Sequence, residues 1–225
     1  MIILNMPARN IVKIYIDNGY YHIYNRGVGK RNIFKDSQDY TVFLGYIKDA
    51  LDKPVDYLSQ GATLYELSRI PKNFFNQIQL LAYCLMPNHF HLLLSQLLKD
   101  NMTDFLRSIS TRYSMYFNKK YNRVGGLFQG HYKAVQVLND SYLLHLSRYI
   151  HMNPQKNYKD LTRAYSSYAD YLHLRNTEWV KTEHILKYFE NKVAPEFKKF
   201  NSYKKLVENN KKDPADIIGK LILED

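Results

Sequence analysis

The stretch MPNHFHLLL, residues 86–94, places two histidines one residue apart after a proline turn. In a β-strand, residues i and i+2 point to the same face, so His89, His91 and Leu93 share one face while Phe90 points to the other. Two neutral imidazoles on one strand face can hold a divalent ion if further ligands come from elsewhere. The same pair could equally hydrogen-bond to its neighbours, and spacing alone leaves both interpretations open.

A second group of candidates lies in RYIHMNP, residues 148–154. The residues before Pro154 have helical spacing, and Tyr149 and Asn153 share a helix face because they are four residues apart. The amide oxygen of Asn153 is a candidate metal ligand, and the hydroxyl of Tyr149 beside a metal-bound phosphate would be a nucleophile. The alternative for Tyr149 is core packing, since it is one of 21 tyrosines. His145 extends this face as a conjectural proton acceptor, although a solvated helix histidine is the simpler interpretation.

The elements around these candidates predict an α+β fold. Their order is strand, helix, strand, strand, helix, strand, helix, which is typical of a ferredoxin-like split βαβ sandwich, an antiparallel sheet with helices on one face. The predicted strands are 20–26, 78–85, 89–95 and 131–137, and the first two helices start with Ser37 and Thr103 as N-caps.

Two parts of the chain do not fit this pattern. Residues 53–76 show no clean period and contain Pro54, Gly61 and Pro71, so they are predicted to be an irregular insertion. After residue 175 the chain becomes lysine-rich and weakly helical. We therefore expect a domain at 1–175 and a basic, mostly helical C-terminal appendage at 176–225.

The charge balance favours a polyanionic partner. Thirty-two Lys and Arg against 21 Asp and Glu give a net charge of +11, and nucleic acid is the commonest partner of such a protein. Candidate DNA-binding residues lie at the end of the first strand, on the second helix and its exit, and on the last strand, and we expect this basic group to lie beside the site: Arg26, Arg107, Arg112, Lys119, Lys120, Arg123 and Lys133.

Several classes of protein are excluded or disfavoured by the composition. A single cysteine, Cys84, excludes an internal disulfide and fits a reducing compartment, and its apolar surroundings indicate a buried, inert thiol. The N-terminal residues are too short for a signal peptide, and no apolar stretch approaches the length of a membrane span. We therefore expect a cytoplasmic protein with no membrane partner.

The motifs together resemble a known family. YHIYNRG (21–27), MPNHFHLLL (86–94), FQGHYKA (128–134), RYIHMNP (148–154) and SSY (166–168), in this order, resemble the HUH superfamily of single-strand DNA transposases. Within it they are most similar to the REP-associated tyrosine transposases, which have a single-tyrosine, IS200-like transposase domain. The chain departs from the usual pattern at His131, where the family commonly has Arg, and at Tyr165, which replaces a Trp.

The resemblance implies a fold and a set of roles. Its ferredoxin-like fold agrees with the fold predicted independently from the order of the elements. It also implies His89, His91 and Asn153 as ligands of a divalent metal, Mg²⁺ or Mn²⁺, and Tyr149 as the catalytic nucleophile. Should Tyr149 not be the nucleophile, Tyr113 or Tyr116 would be the next candidate.

The resemblance implies an enzyme, a transposase and endonuclease of the HUH type. It would cleave and rejoin single-stranded, hairpin-flanked DNA through a 5′-phosphotyrosine intermediate, with repetitive palindromic DNA as its partner. It would act as a monomer or a homodimer. Two alternatives stay open: a basic module that binds hairpin DNA or RNA without cutting it, and a rolling-circle-type replication initiator with the same histidine pair.

Overall fold

A computed structural model describes residues 15–57, 59–61, 63–190 and 200–209. The N-terminal part of the predicted domain before residue 15, and residues 191–199 and 210–225 of the predicted appendage, lie outside these ranges. Four strands form one antiparallel sheet in the order β2-β3-β1-β4. They are β1 (Tyr20–Arg26), β2 (Ile78–Met86), β3 (His89–Gln96) and β4 (Lys133–Val137).

The strand order confirms the predicted ferredoxin-like fold. β3 is hydrogen-bonded to β1 on one side and to β2 on the other, so the histidine-bearing strand is central. Seven α-helices accompany the sheet in the described part of the chain: α1 (Ser37–Leu51), α2 (Leu64–Arg69), α3 (Asn101–Lys120), α4 (Asp140–Met152), α5 (Tyr168–Tyr171), α6 (Glu183–Glu190) and α7 (Tyr203–Asn209).

Three predicted starts of elements are wrong by one to three residues. The N-cap of α1 is Asp36 rather than Ser37, because the carboxylate of Asp36 accepts a hydrogen bond from the amide of Asp39. Helix α3 begins before Thr103, with Asp100 at the N-cap position. Strand β4 begins at Lys133 rather than at residue 131, because pairing with β1 starts there.

The segment 53–76 is not wholly irregular, which corrects the prediction. Helix α2 forms within it because Thr63 and Glu66 make a capping box, each accepting a hydrogen bond from the other's backbone amide. Leu64 and Tyr65 are exposed, so α2 has no buried apolar stripe. A helix of six residues without such a stripe gives no periodic signal in the sequence.

Helices α1 and α3 pack on one face of the sheet, as the split βαβ pattern predicts. Ile23 of β1 and Phe90 of β3 point to this face and are buried with Phe43 of α1 and Phe105 and Ile109 of α3. The apolar stripe predicted for α1 is therefore the face that the helix buries.

The opposite face carries the histidines and is covered by α4 together with the C-terminal helices. Leu93 of β3 is buried there with Leu146 and Ile150 of α4. Ile185 of α6 and Leu206 of α7 belong to the same cluster. The described part of the C-terminal segment therefore contributes apolar side chains to the core that lies over the histidine strand.

The edge of β2 is protected by residues 165–181. The amide of Leu85 donates to the carbonyl of Tyr165, and the amide of Lys181 donates to that of Leu80. Ser167, in the SSY motif, accepts a hydrogen bond from the amide of Tyr83 through its hydroxyl. An exposed sheet edge invites pairing with another chain, and these contacts cover it.

Candidate active site

His89 and His91 lie on β3, and their side chains share one face of the strand, as the alternation predicts. The turn at Pro87 and Asn88 that precedes them is held in place, because the amides of Ile33 and Phe34 both donate to the carbonyl of Pro87. The two imidazole rings lie 5.0 Å apart between centroids, with 87° between their planes. His91 is fully buried, and His89 is partly exposed at the end of the strand.

Each histidine is held through its Nδ1 atom. His89 donates from Nδ1 to the Oδ1 oxygen of Asn88 at 2.6 Å. Nδ1 of His91 lies 2.9 Å from Nε2 of His22 on β1. A ring that donates from Nδ1 presents a lone pair on Nε2, as metal-binding histidines do; His89 must donate because the Asn88 oxygen can only accept.

The Nε2 atom of His91 has an unusual environment. It is buried and has no hydrogen-bond partner among the residues that the structure describes. Burial, followed by the nearby imidazoles of His89 and His22, holds the pKa of His91 well below its ordinary value. A neutral ring has a lone pair on one nitrogen, and a buried polar atom without a partner is costly unless something binds to it.

Tyr149 lies on α4 against His91 and His22. Its ring makes an edge contact with His91 at 5.5 Å between centroids and another with His22 at 6.2 Å. The side chain is half-buried, so it lies at the border between the core and solvent. Helix α4 is fixed at its start by Asn139, whose side chain accepts a hydrogen bond from the amide of Tyr142.

Asn153 lies at the C-terminal end of α4, one turn after Tyr149. A residue before proline is biased out of the helical region, but the backbone of Asn153 is helical (φ −47°, ψ −44°) and leads into a 3-10 turn over Asn153–Lys156. Its Nδ2 donates to the carbonyl of Tyr149 at 3.2 Å. This bond occupies the nitrogen of the amide, so Oδ1 is the atom with the capacity to bind a metal.

The donor set fits a divalent ion in part. Two imidazole nitrogens and one amide oxygen would be protein ligands, and the remaining positions would be left for phosphate or water. The described residues hold no cluster of three or more His, Cys, Asp or Glu that could bind an ion. The buried Nε2 atom of His91 is the observation that supports a ligand at this position.

Two predicted positions differ in the structure. His145, a residue of α4, is buried rather than solvated, because α4 lies between the sheet and the C-terminal helices. Tyr113 and Tyr116 lie on α3 on the other face of the sheet, where their hydroxyls donate to the carbonyl of Ile33 and to Asp39. Neither tyrosine is therefore an alternative nucleophile.

Only two of the predicted DNA-binding residues lie beside the histidines. Arg26 is paired with His89 across β1 and β3. Lys133 on β4 is paired with Tyr24, which is itself paired with His91. Residues directly opposite on neighbouring strands point to the same face, so both cations border the site.

The basic residues of α3 lie on the opposite face of the sheet, which corrects their expected place beside the site. Two of them donate hydrogen bonds to acidic side chains, Lys120 to Asp36 and Asp39 and Arg112 to Asp49, and Arg107 forms a surface ion pair with Asp104. Arg123, just past the end of α3, donates to Asn118. Arg107 and Lys119 are exposed on α3.

His22 and Tyr24 lie beside His91, and the sequence did not single out either residue. Both lie on β1, and the ring of Tyr24 is 4.9 Å from His22 and 6.0 Å from His91. The alternation of the strand YYHIYNR does place these two residues on one face. It does not indicate that this face meets the histidines of β3, which depends on the pairing of the strands.

Comparison with known proteins relates this arrangement to transposases. Residues 63–153 match the family described as "Transposase IS200 like", a range that contains His89, His91, Tyr149 and Asn153. No curated protein sequence matches the chain. Among described residues, no helix is both long and apolar enough to cross a membrane.

Two solved structures resemble the fold. One is a REP-associated tyrosine transposase bound to a REP hairpin, with a TM-score of 0.51, 12% identity, and coverage of 76% of this chain and 95% of that one. The other is a candidate transposase from Deinococcus radiodurans R1, with a TM-score of 0.36, 14% identity, and coverage of 59% and 88%. The family match covers residues 63–153 of the 225, and the first structure shows the fold alone. The resemblance drawn from the motifs is thus confirmed: residues 63–153 match the IS200-like transposases, and the chain has the fold of a REP-associated tyrosine transposase.

Proposed function

We propose that this protein is a metal-dependent transposase that cleaves and rejoins single-stranded DNA, with Tyr149 as its nucleophile. The observation that carries the proposal is the contact of the Tyr149 ring with His91, 5.5 Å apart between centroids. The two residues come from different elements, and the orphaned Nε2 of His91 is part of the same site. The family match over residues 63–153 supports the same conclusion.

His89, His91 and Asn153 would hold a divalent ion, Mg²⁺ or Mn²⁺. When bound, such an ion polarises a phosphate and stabilises the charge that develops on it. The protein's own contribution is orientation, since Asn88 fixes the ring of His89 and the helical backbone fixes Asn153 relative to Tyr149. Holding the reacting groups in place lowers the entropic part of the barrier.

The chemical step is a transesterification at phosphorus. The Oη atom of Tyr149 attacks, a bond forms from Oη to phosphorus, and the bond from phosphorus to the 3′ oxygen breaks. The phenol loses its proton and the departing 3′ oxygen gains one, so protons and charge balance. The product is a 5′-phosphotyrosine and a free 3′-hydroxyl, and because one phosphodiester replaces another, the reverse reaction can rejoin DNA.

Single-stranded or hairpin DNA is the proposed partner. A REP-associated transposase with the same fold has been solved bound to a REP hairpin. The net charge of +11 favours a polyanion. Arg26 and Lys133 border the candidate site, where they could contact phosphates on either side of the scissile bond.

The test is incubation with end-labelled single strands and hairpins in Mn²⁺, scored for a covalent protein–DNA band on a denaturing gel. Tyr149→Phe should abolish both cleavage and the band while leaving DNA binding unchanged. Tyr24→Phe is the matched control, because it removes the hydroxyl of the other tyrosine near His91 and should keep the band.

The outcomes separate the proposal from its alternatives. A band that persists in Tyr149→Phe would overturn the assignment of the nucleophile. Tight binding of hairpins by the wild-type protein, with no band and no cleavage on any strand, would instead favour a module that binds DNA without cutting it.

A further inference from the structure

His22 is a buried histidine that the proposed chemistry does not use. It lies on β1, outside the segment 63–153 that matches the transposase family, and its side chain is fully buried. Histidine is a costly residue for an interior strand position unless its ring nitrogens are hydrogen-bonded. The hydrogen-bond partner of the His22 ring therefore needs to be identified.

The rings of His22 and His91 lie in close contact. Nε2 of His22 lies 2.9 Å from Nδ1 of His91, and the two rings are stacked with 19° between their planes and 5.1 Å between centroids. His22 is paired across the strands with Leu93, so it reaches His91 diagonally on the same face of the sheet.

The direction of this hydrogen bond decides what His91 can do. A neutral imidazole carries one proton and one lone pair on its two nitrogens. If His91 is to bind a metal through Nε2, the proton must be on Nδ1, and the atom facing it must accept. If instead His22 donates from Nε2, the proton of His91 is on Nε2, and no lone pair is available there.

We propose that His22 is a positioning residue: its Nε2 accepts a hydrogen bond from Nδ1 of His91, and this fixes the ring and tautomer that present Nε2 of His91 as a metal ligand. The proposal rests on the proposed function, because it assumes that His91 binds the ion. Asn88 does the same for His89 through its Oδ1 oxygen at 2.6 Å. Partners of this kind are usual for metal-binding histidines.

Two other roles for His22 make different predictions. If His22 only fills space, an apolar residue of similar size should serve as well. If His22 instead donates from Nε2, His91 must carry its proton on Nε2, which NMR of the rings detects. An acceptor role predicts that glutamine works and leucine does not, because the amide oxygen of glutamine can accept from Nδ1.

The first measurement needs no substitution. In metal-free wild-type protein labelled with ¹⁵N, NMR of the histidine rings should show His91 protonated at Nδ1 and a coupling across the hydrogen bond to Nε2 of His22. Protonation of His91 at Nε2 would overturn the proposal, whatever the variants do.

The second measurement is the affinity for Mn²⁺ by calorimetry, with folding checked by circular dichroism. His22→Leu should bind Mn²⁺ roughly 10- to 100-fold more weakly than wild type, the range found when such a partner is removed. His22→Gln should recover most of the affinity. Equal affinity in His22→Leu and wild type would overturn the proposal, and so would an equal loss in His22→Leu and His22→Gln.

A third variant separates this inference from the proposed function. His89→Ala removes a proposed ligand and leaves the contact of His22 with His91 in place. Wild-type protein that binds no more Mn²⁺ than His89→Ala would overturn the metal site, and the role of His22 with it. If wild-type protein binds Mn²⁺ more tightly than His89→Ala, and His22→Leu binds it as tightly as wild type, only the proposed role of His22 would be overturned.

Discussion

The ring of Tyr149 lies edge-on to the ring of His91, with 83° between the planes. Tyr149 belongs to helix α4, which packs on the face of the sheet that holds His91. Leu146 and Ile150 of the same helix are buried in the core of that face. The separation of nucleophile and ligand therefore depends on how α4 packs, not on a flexible loop. Changes that loosen this packing should impair cleavage even when they touch neither residue.

The two histidines should be required for cleavage and not for DNA binding. His89→Ala and His91→Ala each remove a proposed ligand, so cleavage should fall at least 100-fold. Binding to a labelled hairpin, measured by fluorescence anisotropy, should change less than about threefold.

His173→Asn is the control for the histidine variants. His173 is exposed and has a positive φ of 55°, which asparagine tolerates. This variant should cleave normally.

His91→Ala also opens a cavity in the buried core. His89 is partly exposed, so His89→Ala is the variant that isolates the loss of a ligand. Normal cleavage by His89→Ala after metal is removed and restored would show that it is not a ligand.

Arg26 and Lys133 should carry part of the salt dependence of DNA binding. For single strands the log–log slope of affinity against salt changes by about 0.7 for each phosphate contact. The double variant Arg26→Gln/Lys133→Gln should therefore flatten the slope by about 1.4. Lys53→Gln, an exposed lysine just past the end of α1, should leave it unchanged. A slope that does not change in the double variant would mean that the DNA does not cross this edge of the site.

Lys120 should matter for stability rather than for DNA. Its ammonium donates to the carboxylates of Asp36 and Asp39 at 2.7 to 2.8 Å, and Asp39 is fully buried. Lys120→Ala leaves a buried carboxylate without its cation, so the midpoint of thermal unfolding should fall by several degrees. Lys119→Ala, next to it but exposed, should leave the midpoint within about one degree. Equal midpoints in the two variants would show that the pair is not stabilising.

The sequence predicts local features of this fold well. The bounds of β1 are those predicted, and the two histidines share one face of β3 as predicted, because the alternation in a strand is a local property. The helical spacing also placed Tyr149 and Asn153 on one face of α4. The exact caps and the short helix α2 were missed, since competing polar residues stand close together at Asp36 and Ser37, and α2 buries no apolar stripe.

Contacts between distant elements could not be predicted. The spacing on α3 shows which of its residues share a helix face, but not which face of the sheet the helix covers, and so Lys120 was expected beside the site. His22 was missed for the same reason. Its importance follows from the pairing of β1 with β3, which places it against His91, and no local pattern indicates that pairing.

The protein should lose stability steeply in alkaline solution. Burial raises the pKa of Tyr83 to about 12, and burial also raises the pKa of Tyr40, Tyr113 and Tyr203 above the ordinary value. In the unfolded chain a tyrosine titrates near ~10. The folded protein therefore keeps protons that the unfolded chain releases, so stability is full below about pH 10 and falls as the pH rises from there.

Tyr83→Phe tests this through the pH dependence alone. Its free energy of unfolding, measured with denaturant, should fall by about 2 kcal/mol less than that of wild type between about pH 10 and about pH 12. Tyr57→Phe, an exposed control, should match wild type. If wild type and Tyr83→Phe share the same pH dependence, the burial of this phenol does not control its titration.

The central claim is that Tyr149 becomes covalently linked to DNA. The most direct measurement traps the adduct on a single strand whose segment 5′ to the cleavage site is short, so that the released fragment with its 3′-hydroxyl diffuses away and rejoining is prevented. The modified peptide is then mapped by mass spectrometry. We predict a 5′-phosphate ester on the peptide that contains Tyr149, and a free 3′-hydroxyl on the released strand. An adduct on Tyr24 or on any other residue, or a 3′-phosphate ester, would contradict it.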